Sequence, residues 1–263
     1  MTTQPQYLFL CGVGRSGTTV LRTSLGQHSQ IYYNGLENNL VQDLLRIAED
    51  NCTNPSRQFA MAVEQAEYDA VFRKATEDLI WPDQGLRNRP VWLAAINPEG
   101  RQLDYLRQVF PVSRVIGLIR NGIEVVCSRM KYRSFSAQSF ENHCRVWNRC
   151  AGVQQWGSAH PDYFFQMRQE WFYEADALAM QLERLFGWLQ IESDPAVLSG
   201  FQTLVHPTGD SAVLPWQQLH GNEKSGLFQQ KRDGWKDWDA SQREVFERIC
   251  GPLMCDLGYD IPW

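Results

Sequence analysis

Residues 12–19, Gly-Val-Gly-Arg-Ser-Gly-Thr-Thr, place three glycines, one guanidinium and three hydroxyls within eight positions. Glycines let successive backbone N–H groups turn inward around an anion, and a helix opening at Thr18 adds its partial positive charge. Thr18 and Thr19 can donate hydroxyl hydrogen bonds, and the planar fork of Arg15 suits a tetrahedral oxyanion. Gly12, Gly17 and Thr19 fit the spacing of the nucleoside-triphosphate loop G-x-x-x-x-G-K-[ST], but Thr18 stands where the lysine belongs. That lysine normally reaches the outer phosphates while the next hydroxyl ligates magnesium, so its replacement counts against a kinase or ATPase.

Arg120 marks a second centre. It ends the apolar run 114–119, where a magnesium-dependent nucleotide enzyme would commonly carry Asp. A cation there calls for a phosphate rather than a metal. Ser128 follows eight residues later, about two turns into the next helix. Arg120 and Ser128 can thus grip one phosphate from two sides.

These residues need a scaffold, and the pattern of apolar runs supplies one. Residues 7–13 and 114–119 are continuous apolar runs of the kind that form strands buried on both faces, and 91–96 is a shorter one. Weaker strands are expected at 31–34 and 163–167. Helices are expected at 18–27, 37–50, 55–79, 104–110, 122–133, 175–188 and as one long helix over 137–156. Residues 194–231, with three prolines, read as a long loop, and Ser241 reads as the cap of a final helix through 257. Alternating strands and helices predict an α/β protein: a single domain over 1–263, three-layered, with a largely parallel central sheet flanked by helices.

Composition excludes several classes. The net charge is −5, with Lys and Arg spread along the chain, which argues against a nucleic-acid partner. Seven cysteines, an odd number with no Cys-x-x-Cys pair, indicate neither a disulfide framework nor a zinc site, and no metal is expected. No apolar span is long enough to cross a membrane, and the N-terminus carries no basic and apolar leader, so a cytoplasmic location is expected. Ten tryptophans read first as core packing and second as an aromatic acceptor pocket.

The residues from Arg15 to Arg22 resemble the 5′-phosphosulfate loop of sulfotransferases that use 3′-phosphoadenosine-5′-phosphosulfate (PAPS). Arg120-Asn-Gly with Ser128 resembles their 3′-phosphate site at the same spacing. The resemblance continues at Arg168-Gln-Glu-Trp, at Lys231-Arg-Asp-Gly-Trp235 and at Leu257-Gly-Tyr259, and so spans nearly the whole chain. It is nearest to the tyrosylprotein sulfotransferase-like branch, in which a Gly-Glu pair after the first helix supplies the base. Gly35-Leu-Glu37 stands there, with one residue inserted.

The resemblance implies the sulfotransferase variant of the P-loop fold and PAPS as co-substrate. Gly14, Arg15, Ser16, Gly17, Thr18, Thr19, Arg22, Arg120, Ser128, Lys231 and Arg232 would bind the donor, Arg15 would also assist transfer, and Glu37 would be the general base. His28 and His143 are the alternative bases. The acceptor would be a small molecule or a peptide, and the product nucleotide adenosine 3′,5′-bisphosphate. Relatives often carry Lys before Pro where Ile96-Asn97-Pro98 stands, and Tyr where Gln169 stands. A P-loop kinase and a non-catalytic PAPS-binding protein are the rival readings.

Overall fold

The computed structural model describes residues 5–35, 43, 45–47, 50, 64–83, 85–86, 88–97, 100–205 and 234–263. In chain order its elements are β1 (Gln6–Cys11), α1 (Thr18–Leu25), β2 (Ile31–Tyr32), α2 (Gln65–Ile80), β3 (Val91–Ile96), α3 (Gly100–Val109), β4 (Arg114–Ile119), α4 (Gly122–Lys131), α5 (Phe140–Ala151) and α6 (Val153–Ser158). There follow β5 (Phe164–Arg168), a 3-10 turn (Gln169–Tyr173), α7 (Ala175–Leu189), α8 (Pro195–Val205), a second 3-10 turn (Gly234–Asp237) and α9 (Ala240–Asp256).

The five strands form one parallel sheet in the order β2-β3-β1-β4-β5. Because successive strand side chains alternate faces, Tyr7 and Phe9 of β1 join one core cluster while Leu8 and Leu10 join another. The first cluster is aromatic and lies under α2 and α3, with Trp81, Trp92 and Phe110 around Tyr7. The second is mostly aliphatic and lies under α1, α7 and α8. A third cluster, at the carboxyl end of β4, joins α4, α5 and α9 around Trp147. The expected α/β, three-layer architecture is therefore present.

The connection after β1 leads toward β2 and that after β4 toward β5, on opposite sides of the sheet. In open α/β sheets the crevice outside the strand ends at such a reversal is where ligands bind. The two loops that open there are 12–17 and 120–121, the two centres singled out by their chemistry.

Three expectations are corrected. The single helix over 137–156 is two, α5 and α6, separated at Gly152. The loop expected over 194–231 begins with helix α8, whose first residue is Pro195; proline is at home in a first turn, where its missing N–H has no intrahelical partner to lose. Residues 206–233 lie outside the described residues. The last helix is capped by Asp239 rather than Ser241: its carboxylate accepts from Gln242 N at 2.8 Å while the Gln242 side chain accepts from Asp239 N at 3.0 Å. The expected helix over 37–50 and the start of that over 55–79 lie largely outside the described residues.

Candidate active site

The loop after β1 owes its course to two glycines. A β-carbon at Gly12 would stand 2.8 Å from Thr18 Cγ2 and 3.1 Å from the Leu118 carbonyl, so the chain can cross the end of β4 only without a side chain. Gly17 has φ +91°, a left-handed conformation that glycine adopts readily, and precedes α1. Among the described residues no side chain caps that helix, which leaves its first-turn N–H groups for an external acceptor. Arg15 also has a positive φ, +84°, which is costly for a residue with a β-carbon and accumulates at ligand-binding loops.

The side chains of the loop divide the work. Ser16 is buried and donates its hydroxyl to the Val13 carbonyl at 2.6 Å, so it shapes the loop from within. Arg15 points toward α4, where its Nε donates to Ser128 Oγ at 3.2 Å and its guanidinium lies 4.3 Å from the centre of the Tyr132 ring. Arg120 closes the group: its Nη1 donates to the Arg15 carbonyl at 2.9 Å. The structure thus brings together Arg15, Arg120 and Ser128, residues from three separate segments. Arg22 is buried in α1 and donates to Thr19 Oγ1 at 3.4 Å.

Several neighbours complete this group. Glu124 accepts from Nε and Nη2 of Arg120 at 3.0 and 2.8 Å, an i,i+4 pair of which each side chain is 11% exposed. Asn121 caps α4 by accepting from Ile123 N at 2.9 Å. Trp147 Nε1 donates to the Arg120 carbonyl at 3.1 Å, fixing the backbone from which the guanidinium projects. Arg129, beside Ser128, is buried against the other side of the loop. The Arg120–Glu124 spacing was readable as a helix-surface pair; the burial of Arg129 leaves no local signal.

The motif 168–171 braces this site. Gln169 and Phe172 pack on Gly17, where a β-carbon would stand 3.0 and 3.1 Å from them. Glu170 accepts from Asn121 N at 2.9 Å and from the Tyr259 hydroxyl at 3.2 Å, and Arg168 donates to the Leu257 carbonyl. Burial, reinforced by the Glu170 charge, pushes the Tyr259 phenol upward, so it stays a hydrogen donor. The carboxyl-terminal Leu257-Gly-Tyr259 segment therefore supports the residue next to Arg120.

Ile96, at the position where a cation was sought, is the last residue of β3; it is paired in register with Cys11 and buried in the aromatic cluster. Asn97 follows it, and its side-chain amide, oriented as its neighbours require, donates to the carbonyls of Ile96 and Gly12. His28 is buried at the far end of α1; its Nδ1 accepts from Gln30 N at 3.0 Å and its Nε2 therefore donates to the Glu192 carbonyl at 2.9 Å. That is a structural role. His143 is buried in α5 near Arg129, and burial, then the Arg129 charge, lowers its pKa. Glu37, Lys231 and Arg232 lie outside the described residues. Among the described residues no group of His, Cys, Asp and Glu is placed to hold a metal ion. Nor is any helix among them long and apolar enough to cross a membrane.

Comparison with known proteins agrees with the fold. A family model described as the sulfotransferase family matches residues 5–195. The chain is similar in structure to a sulfotransferase domain from the curacin biosynthetic pathway (17% identity, TM-score 0.58, 98% of this chain and 99% of that one). It is likewise similar to a sulfotransferase domain from the Synechococcus PCC 7002 olefin synthase (18% identity, TM-score 0.62, 98% and 96% covered). A sulfotransferase from Alicyclobacillus acidocaldarius aligns at 13% identity and TM-score 0.52 over 98% of both chains. No curated protein sequence matches the chain.

Proposed function

The chain belongs to the sulfotransferase family, and from that premise we propose that it moves the sulfuryl group of PAPS to an acceptor hydroxyl or amine, releasing adenosine 3′,5′-bisphosphate. The observation that carries the donor assignment is the meeting of Arg15, Ser128 and Arg120 at the mouth of a glycine loop. Two guanidinium groups and uncapped helix N–H groups at one crevice suit a ligand with anions at two separated points, as PAPS has at its 5′ and 3′ positions.

Sulfuryl transfer resembles phosphoryl transfer in its loose, in-line geometry, and the chain's task is positioning and charge stabilisation. In this reading the loop amides and Arg15 take up charge that grows on the leaving 5′-phosphate. Arg120 and Ser128 fix the nucleotide by its 3′-phosphate, and Lys231 and Arg232 add charge there. The acceptor oxygen or nitrogen attacks sulfur as the bond from sulfur to the phosphate oxygen breaks, and Glu37 accepts the acceptor's proton. The acceptor is a small molecule or a peptide side chain. Cys11, Cys127, Cys144, Cys250 and Cys255 are free thiols, which suits a reducing, cytoplasmic setting.

The test is calorimetric titration with adenosine 3′,5′-bisphosphate, followed by transfer from labelled PAPS to a panel of phenols, alcohols and amines. Binding and transfer are expected without added metal. Binding of ATP with magnesium in place of the bisphosphate would install the kinase reading. Donor binding without transfer to any acceptor would leave a PAPS-binding protein.

A further inference from the structure

Arg129 is an arginine whose surroundings do not balance its charge. It is 4% exposed, and among the described residues its side chain makes one hydrogen bond, from Nη2 to Gln138 Oε1 at 3.2 Å. Its Nε has no partner, and it forms no ion pair among the described residues. The face of Phe135 lies 4.2 Å from the guanidinium carbon, a cation–π contact that offsets part of the cost. His143, 1% exposed on the neighbouring helix α5, adds two ring nitrogens with no hydrogen-bond partner. A neutral imidazole supplies no negative charge, and desolvation disfavours the charged form of Arg129, an effect that the Cys150 sulfur opposes only in part.

A buried cation with one neutral partner is costly unless an anion completes it. The guanidinium lies against the loop: a β-carbon on Gly14 would stand 3.4 Å from its Nη1 and 3.5 Å from the Phe135 ring. The missing counter-charge therefore adjoins the glycine loop, a segment shaped to admit an anion. Ser128 and Arg129 are successive residues of α4. The first meets Arg15 and the second meets the backbone of Gly14, so the helix presents two polar groups to two points of the same loop.

We propose that Arg129 is a further donor-binding residue, which holds the 5′-phosphate of the nucleotide from the Gly14 side of the loop and has that phosphate as its counter-ion. This rests on the PAPS reading of the site. Arg129 then divides the nucleotide with Arg120: one guanidinium for the 5′ end, the other for the 3′ end.

Two variants and two probes test it. The probes are adenosine 3′,5′-bisphosphate and adenosine 3′-monophosphate, which differ only in the 5′-phosphate. Arg129→Met keeps the apolar stem and removes the charge. It is expected to weaken the bisphosphate about ten- to a hundredfold and leave the 3′-monophosphate within about threefold, as loss of one charge-assisted contact implies. It is also expected to keep or raise the melting temperature of the free protein, because an uncompensated buried charge has gone. Arg129→Lys should retain most of the preference for the bisphosphate. Equal weakening of both probes, an unchanged affinity for the bisphosphate, or a less stable or unfolded Arg129→Met protein would each overturn the proposal. The parent protein separates the two levels. If it binds neither probe, the donor reading fails; if it prefers the bisphosphate and Arg129→Met keeps that preference, only the role of Arg129 fails.

Discussion

Replacing Arg120 by Ala tests the 3′-phosphate assignment in a way the structure lets us quantify. A guanidinium has five N–H donors. Three are engaged here, two on Glu124 and one on the Arg15 carbonyl, so two remain for a phosphate. Losing a charge-assisted contact of that kind costs about 1.5–3 kcal/mol, roughly a factor of 10 to 150 in affinity. Arg120→Ala does a second thing: it leaves the Glu124 carboxylate, with its side chain 11% exposed, without its cation and beside the incoming phosphate. Two unit charges about 6 Å apart at an effective dielectric of about 20 repel by on the order of 2–3 kcal/mol.

The single variant should therefore lose more than the contact alone, roughly 10³–10⁴-fold for adenosine 3′,5′-bisphosphate when the two terms add, and much less for adenosine 5′-monophosphate. Adding Glu124→Gln should restore about tenfold or more, and Glu124→Gln alone should tighten the bisphosphate. Calorimetry on the four proteins closes the double-mutant cycle. If Arg120→Ala weakens both nucleotides equally, or if Glu124→Gln restores nothing, Arg120 and Glu124 are a structural pair and the 3′-phosphate lies elsewhere.

Three further outcomes follow from the same site. Glu37→Gln should lower turnover by about 10²–10⁴-fold while the Kd of adenosine 3′,5′-bisphosphate stays put; turnover within a few-fold together with a lower Tm would make Glu37 a structural residue. Transfer from PAPS should survive EDTA, and loss of activity with rescue by magnesium would contradict the metal-free reading. The folded-state pKa of His143 is lowered from its ordinary 6.5, so on acidification the unfolded chain takes up that proton first. Its contribution to stability is complete above about pH 6.5 and declines below it, and denaturant midpoints between pH 7.5 and 5.5 should fall less steeply for His143→Phe than for the parent.

Where a signal is local, the sequence carried it. The strands β1, β3 and β4 are legible because a parallel strand covered on both faces has no polar side, and the glycine loop is legible because its backbone geometry demands those residues. The start of α8 was equally local: Asp194 Oδ1 accepts from Ala196 N at 3.0 Å just ahead of Pro195 in the first turn. Pro195 taken alone reads as a break, whereas Asp194 ahead of it makes the pair a helix start. Asp239 with Gln242 is another local signal, a capping box two residues ahead of the serine that drew attention. Glu124, four residues after Arg120, could have been read from helix geometry alone. Arg129 and Gln169 could not, since what matters about them is burial against residues of distant segments.

That division has a chemical consequence. Glycine spacing specifies the shape of an anion site, but its selectivity depends on how many charges converge and how many are already neutralised. Arg15, Arg120 and Arg129 approach one loop, and Glu124 is ion-paired with Arg120. Three guanidinium groups thus stand close to one loop within a chain of net charge −5. A highly anionic donor gains nothing from the long-range field of such a protein and must be held by short-range contacts, which lose strength less steeply with salt than exposed pairs do. The arrangement favours a ligand whose negative charges are spaced to meet separate cations over one with a single charge of equal sign. For that reason the decisive comparisons are between nucleotides that differ by one phosphate, at the 3′ or the 5′ position, rather than between sulfate and phosphate as free ions.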